Sequence, residues 1–252
     1  MIHFVGAGPG AEDLITVRGE KLIAEADVIV YAGSLVNPAL LLKAKEDCEI
    51  FNSASMTLTE VVNTMTEADR AGKQVVRLHT GDPSIYGAIR DQMDALDKEE
   101  ITYDVTPGVS SFCAAAAALQ LEYTLPGISQ SVILTRMDGR CETPEKESVE
   151  ALAAHDSTMV YFLSAGELQR LCARLIGAGR DADTPCALVY KASWEDEKTI
   201  RATLATLPEL ALKEGITKTA LVIVGEVVDP EKYEASRLYA ADFSHGFRKA
   251  DQ

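Results

Sequence analysis

The chain has 252 residues, of which 47% are hydrophobic and 25% are charged, and this composition predicts a globular protein with a substantial core. Its formal net charge of −15 argues against nucleic acid as a partner, because binding to phosphates needs clustered lysine and arginine. No apolar stretch approaches the roughly 20 residues of a membrane span, so we also expect no membrane partner.

Cysteine and histidine are spaced unlike disulfide pairs or metal ligands. The five cysteines include no C-x-x-C pair, and the four histidines show no metal-ligand spacing among themselves or with cysteine. An odd number of isolated cysteines is typical of a reducing compartment. The first residues predict a strand, whereas a signal peptide begins with a charged and then an apolar region. We therefore expect a cytoplasmic protein without a metal ion of its own.

Strands and helices alternate along the first half of the chain. Short apolar runs predict strands at residues 2–5, 28–31, 75–79 and 102–106. Helical periodicity predicts helices at residues 14–24, 60–71, 85–96 and 114–118. The first of these helices is expected to start near Asp13 or Thr16. This alternation predicts parallel βαβ units.

A turn at residues 125–127 breaks the alternation. Beyond it, the pattern predicts helices at residues 148–154 and 168–175 and strands at 131–135, 158–163, 186–190, 199–203 and 220–224. Residues 191–198 are too few for a helical crossover, so the strands on either side should form an antiparallel pair in a mixed sheet. We therefore predict two α/β domains, 1–125 and 126–240, followed by a polar tail at 241–252.

Three loops rich in glycine and proline follow predicted strands of the first domain. We call residues 6–10 the first loop, residues 81–87 the second loop and residues 107–111 the third loop. Glycine lets the backbone approach a ligand closely, and proline fixes the shape of a turn. In open α/β sheets, ligands bind beyond the carboxyl ends of the strands. The three loops together predict one ligand site.

The first loop also fits a variant of the dinucleotide fingerprint, Gly6-x-Gly8-x-x-Ala11. That fingerprint needs an acidic residue at the end of the second strand to bind the ribose, whereas Asp27 lies at its start. The pattern therefore disfavours a nicotinamide cofactor.

Polar residues of the other two loops have two interpretations each. Asp82 is equally compatible with a turn in which it bonds its own backbone and with a contact to a polar ligand. Ser110 and Ser111 are compatible with a helix cap and with a helix start that offers N–H groups to an anion. The residues themselves leave these alternatives open.

Considered together, the loops resemble the tetrapyrrole (class III) S-adenosylmethionine-dependent methyltransferases. The signatures of that family are matched by residues 5–10 with 13–16 and Gly19, by residues 81–83 and by residues 107–111. Within the family, the enzymes that methylate carbon 11 of precorrin-4 or cobalt-precorrin-4 are similar to this chain at residues 31–36, 81–87, 110–117 and 132–136. The resemblance runs over nearly the whole chain.

This resemblance implies a fold, a reaction and partners. The implied fold has two α/β domains of the tetrapyrrole methylase type, the first sheet mainly parallel and the second mixed, with the cofactor in the cleft between the domains. The implied reaction transfers a methyl group from S-adenosylmethionine to precorrin-4 or cobalt-precorrin-4 in cobalamin synthesis and releases S-adenosylhomocysteine. Any cobalt travels within the substrate, and the family is commonly homodimeric.

The resemblance also implies individual contacts. Carried over position by position, the cofactor contacts fall on Pro9, Thr80, Gly81, Asp82, Ile85, Ser110, Ser111, Leu163 and Ala192. Related uroporphyrinogen methyltransferases often have Met where this chain has Leu163, and Gly where it has Ala192. Arg136 and Arg140 are candidates for binding the carboxylates of the substrate, and a solvated loop arginine is an equal alternative for Arg140. No catalytic residue is assigned.

Two other functions remain as alternatives at this point. One is a nicotinamide-dependent dehydrogenase on a similar α/β core. The other is a noncatalytic protein that binds tetrapyrroles or regulates a partner, since a shared fold does not fix a shared function.

Overall fold

The computed structural model describes residues 1–33, 35–139 and 142–250. In this structure the chain divides into two compact units. The first contains Met1–Ala118 and Lys191–Lys198, and the second contains Leu119–Tyr190 and the residues after Lys198. We call Lys191–Lys198 the return segment, because it belongs to the first unit although the chain on both sides belongs to the second. The domain limits predicted above do not include this return and stay a prediction.

The described part of the first unit is built on a parallel sheet. Its strands are β1 (Ile2–Gly6), β2 (Val28–Tyr31), β3 (Glu49–Asn52), β4 (Val75–His79) and β5 (Tyr103–Thr106). The order across the sheet is β3-β2-β4-β1-β5, and every neighbouring pair is parallel. The α-helices along this region are α1 (Val17–Glu25), α2 (Leu58–Arg70), α3 (Ile89–Lys98) and α4 (Ser111–Leu119). The predicted parallel sheet is confirmed.

Both faces of this sheet are buried, which explains why its inner strands are rich in apolar residues. On one face, Phe4 and Val30 pack with residues of α2 and α3 such as Met65 and Leu96. On the other face, strand residues pack against α1 and the turn that follows β2. The carboxyl ends of β1, β4 and β5, where the three loops begin, therefore sit above a closed core.

A capping side chain marks the start of α1, whereas backbone conformation sets the start of α3. The Thr16 hydroxyl accepts a hydrogen bond from the Gly19 N–H at 3.1 Å, so α1 starts just after Thr16, as predicted. The predicted start of α3 at residue 85 is wrong. Tyr86 and Ala88 have φ of 55° and 50°, a left-handed backbone that an α-helix does not contain, and α3 begins only at Ile89.

The described part of the second unit carries a mixed sheet. Its strands are β6 (Val132–Arg136), β7 (Thr158–Phe162), β8 (Pro185–Tyr190), β9 (Lys198–Thr203) and β10 (Ala220–Val224), in the order β6-β7-β10-β8-β9. Strands β6 and β7 are parallel, whereas β10 is antiparallel to both β7 and β8. Its helices are α5 (Val149–Ala153), α6 (Leu168–Gly177) and α7 (Leu207–Lys213). The predicted mixed α/β fold is confirmed.

Strand β3 and helix α7 are absent from the sequence prediction. Strand β3 is an edge strand whose residues are mostly exposed, so its sequence lacks the buried apolar run that identified the other strands. Helix α7 has seven residues and carries Pro208 in its first turn, which leaves little helical periodicity to detect. Within the described residues, no helix is long and apolar enough to cross a membrane.

Candidate functional site

The three loops meet through their backbones at the carboxyl ends of β1, β4 and β5. Gly81 N–H donates to the Gly8 carbonyl at 2.8 Å, and Gly8 N–H donates to the Gly81 carbonyl at 3.3 Å. A methyl group at Gly108 would lie 2.1 Å from the Gly81 oxygen, and one at Gly6 would lie 2.6 Å from Gly108 Cα. Because these loops touch without intervening side chains, only glycine fits at the contacts.

Asp82 fastens the second loop to the third. Its Oδ1 accepts hydrogen bonds from the Ser84 N–H at 2.9 Å and the Ser84 hydroxyl at 2.5 Å, and its Oδ2 accepts from the Gly108 N–H at 2.9 Å. Burial acts to raise the pKa of Asp82, but the hydrogen bonds from Ser84 and Gly108 outweigh it and hold this pKa below its usual value. The carboxylate therefore stabilises the turn at Ser84 and also links the second loop to the third. We call its hydrogen bond with Gly108 the cross-loop tie.

Two polar groups just before Gly81 are buried. Thr80 Oγ1 and His79 Nε2 are buried, and neither has a hydrogen-bond partner within the described part of the chain. Burial, with a smaller effect from the charge of Arg77, lowers the pKa of His79 to about 3, so its ring is neutral. An unpaired buried hydroxyl next to a glycine cradle is what a bound polar ligand would satisfy. Thr80 was predicted to contact the cofactor, whereas His79 was not singled out.

The third loop leads directly into a helix. Ser110 is buried, and its carbonyl accepts from the Cys113 N–H at 3.0 Å as α4 begins at Ser111. The first N–H groups of a helix have no partners within the helix and favour negative charge. Ile85 lies in the second loop, where its N–H donates to the Asp82 carbonyl at 3.2 Å. The structure thus brings these predicted contacts to one end of the first sheet.

The return segment holds the first loop from the other side. Trp194 Nε1–H donates to the Pro9 carbonyl at 3.0 Å, and the Ala11 N–H donates to Ser193 Oγ at 3.0 Å. Between these two contacts, Asn37 Nδ2–H donates to the Gly10 carbonyl at 2.9 Å. Pro9 and Gly10 of the first loop, and Ala11 directly after it, are therefore each fixed by a side chain from another segment.

Ala192 is buried within this return segment, so the structure places it in the first unit with the loops. Its neighbours Lys191 and Ser193 have φ of 46° and 70°, left-handed values that cost energy in residues other than glycine. Sequence reasoning missed Trp194, Ser193 and Asn37. The available signal was the chain's single tryptophan in an otherwise polar connection between two strands.

Leu163 and Arg136 belong to the second unit, at the ends of the paired strands β7 and β6. Leu163 is 74% exposed with φ of 54°, an uncommon combination for a branched apolar residue. Ser164 Oγ accepts from the Met137 N–H at 2.9 Å and donates to the Phe162 carbonyl at 2.7 Å, which ties the two strand ends together. Leu163 therefore belongs to the second unit, whereas the other eight predicted cofactor contacts belong to the first.

Of the two arginines predicted to bind substrate, one lies within the described residues. Arg136 donates to the Met137 carbonyl at 3.3 Å and to the Glu142 carbonyl at 3.2 Å, so part of its guanidinium stabilises the loop after β6. Arg140 lies outside the described residues.

Asp27, the acidic residue just before β2, has a structural role. Its carboxylate accepts from the Gln74 N–H at 2.7 Å and pairs with Lys45 at 2.5 Å. It therefore gives no support to a ribose contact.

A sequence profile of the tetrapyrrole (corrin/porphyrin) methylases matches residues 1–208. The chain belongs to this family. It is 54% identical over 249 residues to a cobalt-precorrin-4 C(11)-methyltransferase of Methanocaldococcus jannaschii, a match that covers 99% of this chain and 96% of that protein. It is 45% identical over 242 residues to a precorrin-4 C(11)-methyltransferase of Rhodococcus erythropolis, covering 95% of this chain and 96% of that protein.

Solved structures of tetrapyrrole methylases share this fold. The X-ray structure of a cobalamin biosynthetic enzyme, cobalt-precorrin-4 methyltransferase, matches 91% of this chain and 96% of its own with a TM-score of 0.89 and 46% identity. A uroporphyrin-III C-methyltransferase of Thermus thermophilus, solved in complex with S-adenosylhomocysteine, matches 93% of this chain and 96% of its own with a TM-score of 0.74 and 26% identity.

Proposed function

We propose that this tetrapyrrole methylase transfers a methyl group from S-adenosylmethionine to carbon 11 of precorrin-4 or cobalt-precorrin-4. The products are precorrin-5 or cobalt-precorrin-5 and S-adenosylhomocysteine. The observation that carries this proposal is the 54% identity, over 99% of the chain, to a relative that bears the name of this reaction. We keep the expectations of a homodimer and of a cytoplasmic location as part of the proposal.

The residues present in the first unit fit S-adenosylmethionine. A glycine cradle, a buried and unpaired Thr80 hydroxyl and the start of α4 offer hydrogen bonds to a polar ligand. The Thermus relative in complex with S-adenosylhomocysteine supports the assignment. We propose that the cofactor contacts are Pro9, Thr80, Gly81, Asp82, Ile85, Ser110, Ser111, Leu163 and Ala192.

When bound, S-adenosylmethionine supplies an electrophilic methyl group on a sulfonium sulfur. The protein then needs no covalent intermediate, and its residues act by binding and orientation. Alignment of two reactants can supply about 7–11 kcal/mol of rate enhancement when they are held rigidly. The backbone contacts among the three loops and the three hydrogen bonds of Asp82 provide such rigidity. We assign no general base.

The substrate presents several acetate and propionate groups to a protein whose net charge is −15. Local positive charge must therefore hold these groups against the overall charge. We propose that Arg136 and Arg140 do so, because a guanidinium binds a carboxylate through two parallel hydrogen bonds. Cobalt, where the substrate carries it, belongs to the macrocycle.

The deciding experiment supplies S-adenosylmethionine labelled with ¹³C at the methyl carbon, together with precorrin-4 in metal-free and cobalt-loaded forms. The label is located by NMR in the metal-free product and by fragmentation mass spectrometry in the cobalt product. Label on carbon 11 supports the proposal and shows which form is preferred. No transfer to either form, despite calorimetric binding of S-adenosylhomocysteine, contradicts it and favours a noncatalytic tetrapyrrole-binding protein.

A further inference from the structure

The indole of Trp194 lies directly against the first loop. Its N–H donates to the Pro9 carbonyl, and a methyl group at Gly10 would lie 2.1 Å from Trp194 Cδ1. One residue earlier, Ser193 Oγ accepts from the Ala11 N–H. The return segment therefore grips the loop on both sides of Gly10, through one donated and one accepted hydrogen bond.

Contacts inside the return segment fix its shape. Lys191 Nζ pairs with Asp196 Oδ2 at 2.5 Å and lies 5.5 Å from the centre of the Trp194 ring, a cation–π distance. The Ser193 N–H donates to Glu197 Oε2 at 2.6 Å, and the Trp194 N–H donates to the Lys191 carbonyl at 2.9 Å. Contacts of this kind stabilise a left-handed backbone that would otherwise be strained, here at Lys191 and Ser193.

We infer that Trp194, assisted by Ser193, is a positioning residue for S-adenosylmethionine. It fixes the carbonyl of Pro9, and the segment that carries it presents Ala192 beside the first loop. This inference rests on the proposed function, because Pro9 and Ala192 are two of its proposed cofactor contacts. A second consequence is that the fluorescence of Trp194, the single tryptophan of the chain, should change when the cofactor site is occupied.

The main test is Trp194→Phe, which keeps an aromatic ring over Gly10 and removes the N–H donor. The Kd for S-adenosylhomocysteine by calorimetry and the KM for S-adenosylmethionine should each rise about fivefold to tenfold, as expected for one lost hydrogen bond. The kcat and the KM for precorrin-4 should stay within twofold. Tyr239→Phe, which removes a hydroxyl from an exposed aromatic residue of the second unit, serves as the matched control and should change neither cofactor constant.

Two further measurements do not depend on the folding of that variant. Ser193→Ala removes the hydroxyl that accepts a hydrogen bond from the Ala11 N–H, and it keeps the indole of Trp194. This variant should also weaken S-adenosylhomocysteine binding. In the unaltered protein, S-adenosylhomocysteine should change the tryptophan emission in a saturable way, with the same Kd as calorimetry gives.

The possible failures are distinguishable. If the unaltered protein binds no S-adenosylhomocysteine in calorimetry, the proposed function fails and the inference fails with it. If it binds, but both variants bind within twofold of it or the emission stays constant, the inference alone is overturned. The inference is also overturned if Trp194→Phe lowers kcat and raises both KM values together, since a general loss of structure would do that.

Discussion

His79 is a neutral histidine in a place where a charged ring would be costly. It is buried at the end of β4, stacks on Phe4 with ring centroids 5.9 Å apart, and has Arg77 two residues earlier on the same strand. Arg77 is itself buried and donates to the Gln92 side chain at 2.9 Å and to the Val30 carbonyl at 3.1 Å. A second positive charge on His79 would therefore face both poor solvation and repulsion.

This arrangement predicts acid sensitivity that depends on His79. Its folded pKa is about 3, whereas the unfolded ring has a pKa near 6.5, so below pH 6.5 the unfolded chain binds a proton that the folded chain does not. Stability is then lost by about 1.4 kcal/mol per pH unit as the pH falls from 6.5 towards 3. Urea unfolding at pH 7.5 and pH 5.0 should show a pH-dependent loss that is about 2 kcal/mol smaller in His79→Gln.

His155→Gln is the control for that measurement, because His155 is exposed. Its unfolding free energy should follow the pH dependence of the unaltered protein. An identical pH dependence in His79→Gln would show that burial of His79 does not govern its titration.

Asp82→Asn should weaken both stability and cofactor binding. An amide has one acceptor oxygen where the carboxylate has two, so either the Ser84 or the Gly108 donors lose their partner. The Gly108 N–H is partly buried and the Ser84 donors are exposed, so the lost partner should cost about 1 kcal/mol, at the lower end of the range for an unpaired donor. The loss should be measured by urea unfolding at pH 7, and the Kd for S-adenosylhomocysteine should rise as the second and third loops separate.

The pH dependence of this effect has a definite sign. Because the folded pKa of Asp82 is lowered, the carboxylate stabilises the fold fully above its unfolded pKa near 3.9, and this contribution is lost as the pH falls through the folded pKa. The difference in unfolding free energy between the unaltered protein and Asp82→Asn should therefore shrink below pH 4. Asp47→Asn changes an exposed aspartate of the same unit, and a similar loss of stability there would count against the cross-loop tie.

At the level of elements, the ends of β1, β4 and β5 are packed backbone to backbone. Gly108→Ala would put a methyl group against the Gly81 carbonyl, which no side-chain rotation can relieve. We expect a loss of about 3 kcal/mol in the free energy of unfolding, at the upper end for overpacking, together with loss of S-adenosylhomocysteine binding. Denaturant titration and calorimetry measure the two effects.

Gly177→Ala is the matched control for this substitution. Gly177 ends α6, and a methyl group there would meet no atom within 4 Å. It should leave stability unchanged or raise it by up to about 1 kcal/mol through better helix propensity. If Gly108→Ala behaved like Gly177→Ala, the close approach of the loops would be wrong.

The strands show how far the sequence determines this fold. Strands β2 and β4 match the predicted residues because burial on both faces makes them rich in apolar residues, although β4 also buries Arg77 and His79. Glycines likewise identified all three loops of the candidate site. What the sequence could not supply was the left-handed backbone at Tyr86 and Ala88, which delays α3, since neither residue type favours that conformation.

At the scale of the whole molecule, the contacts that complete the first loop join residues 185 and 182 positions apart. No local pattern predicts such contacts, because periodicity and capping act over a few residues. A cofactor contact at Ala192 was implied by family resemblance alone, and the contacts of Trp194 and Ser193 emerged from the structure.

The return segment also sets an order of events during synthesis. The chain leaves the ribosome from its N-terminus, so β1, β4 and β5 are available long before Trp194 exists. All of Leu119–Tyr190 must be made in between, a delay on the order of ten seconds at usual elongation rates. A nascent or truncated chain that stops before residue 193 therefore keeps the Asn37 contact to Gly10 but lacks Trp194 and Ser193, the other two side chains that hold residues 9–11. The hydrogen bonds that Trp194 and Ser193 make to Pro9 and Ala11 can form only after more than three quarters of the chain has been translated.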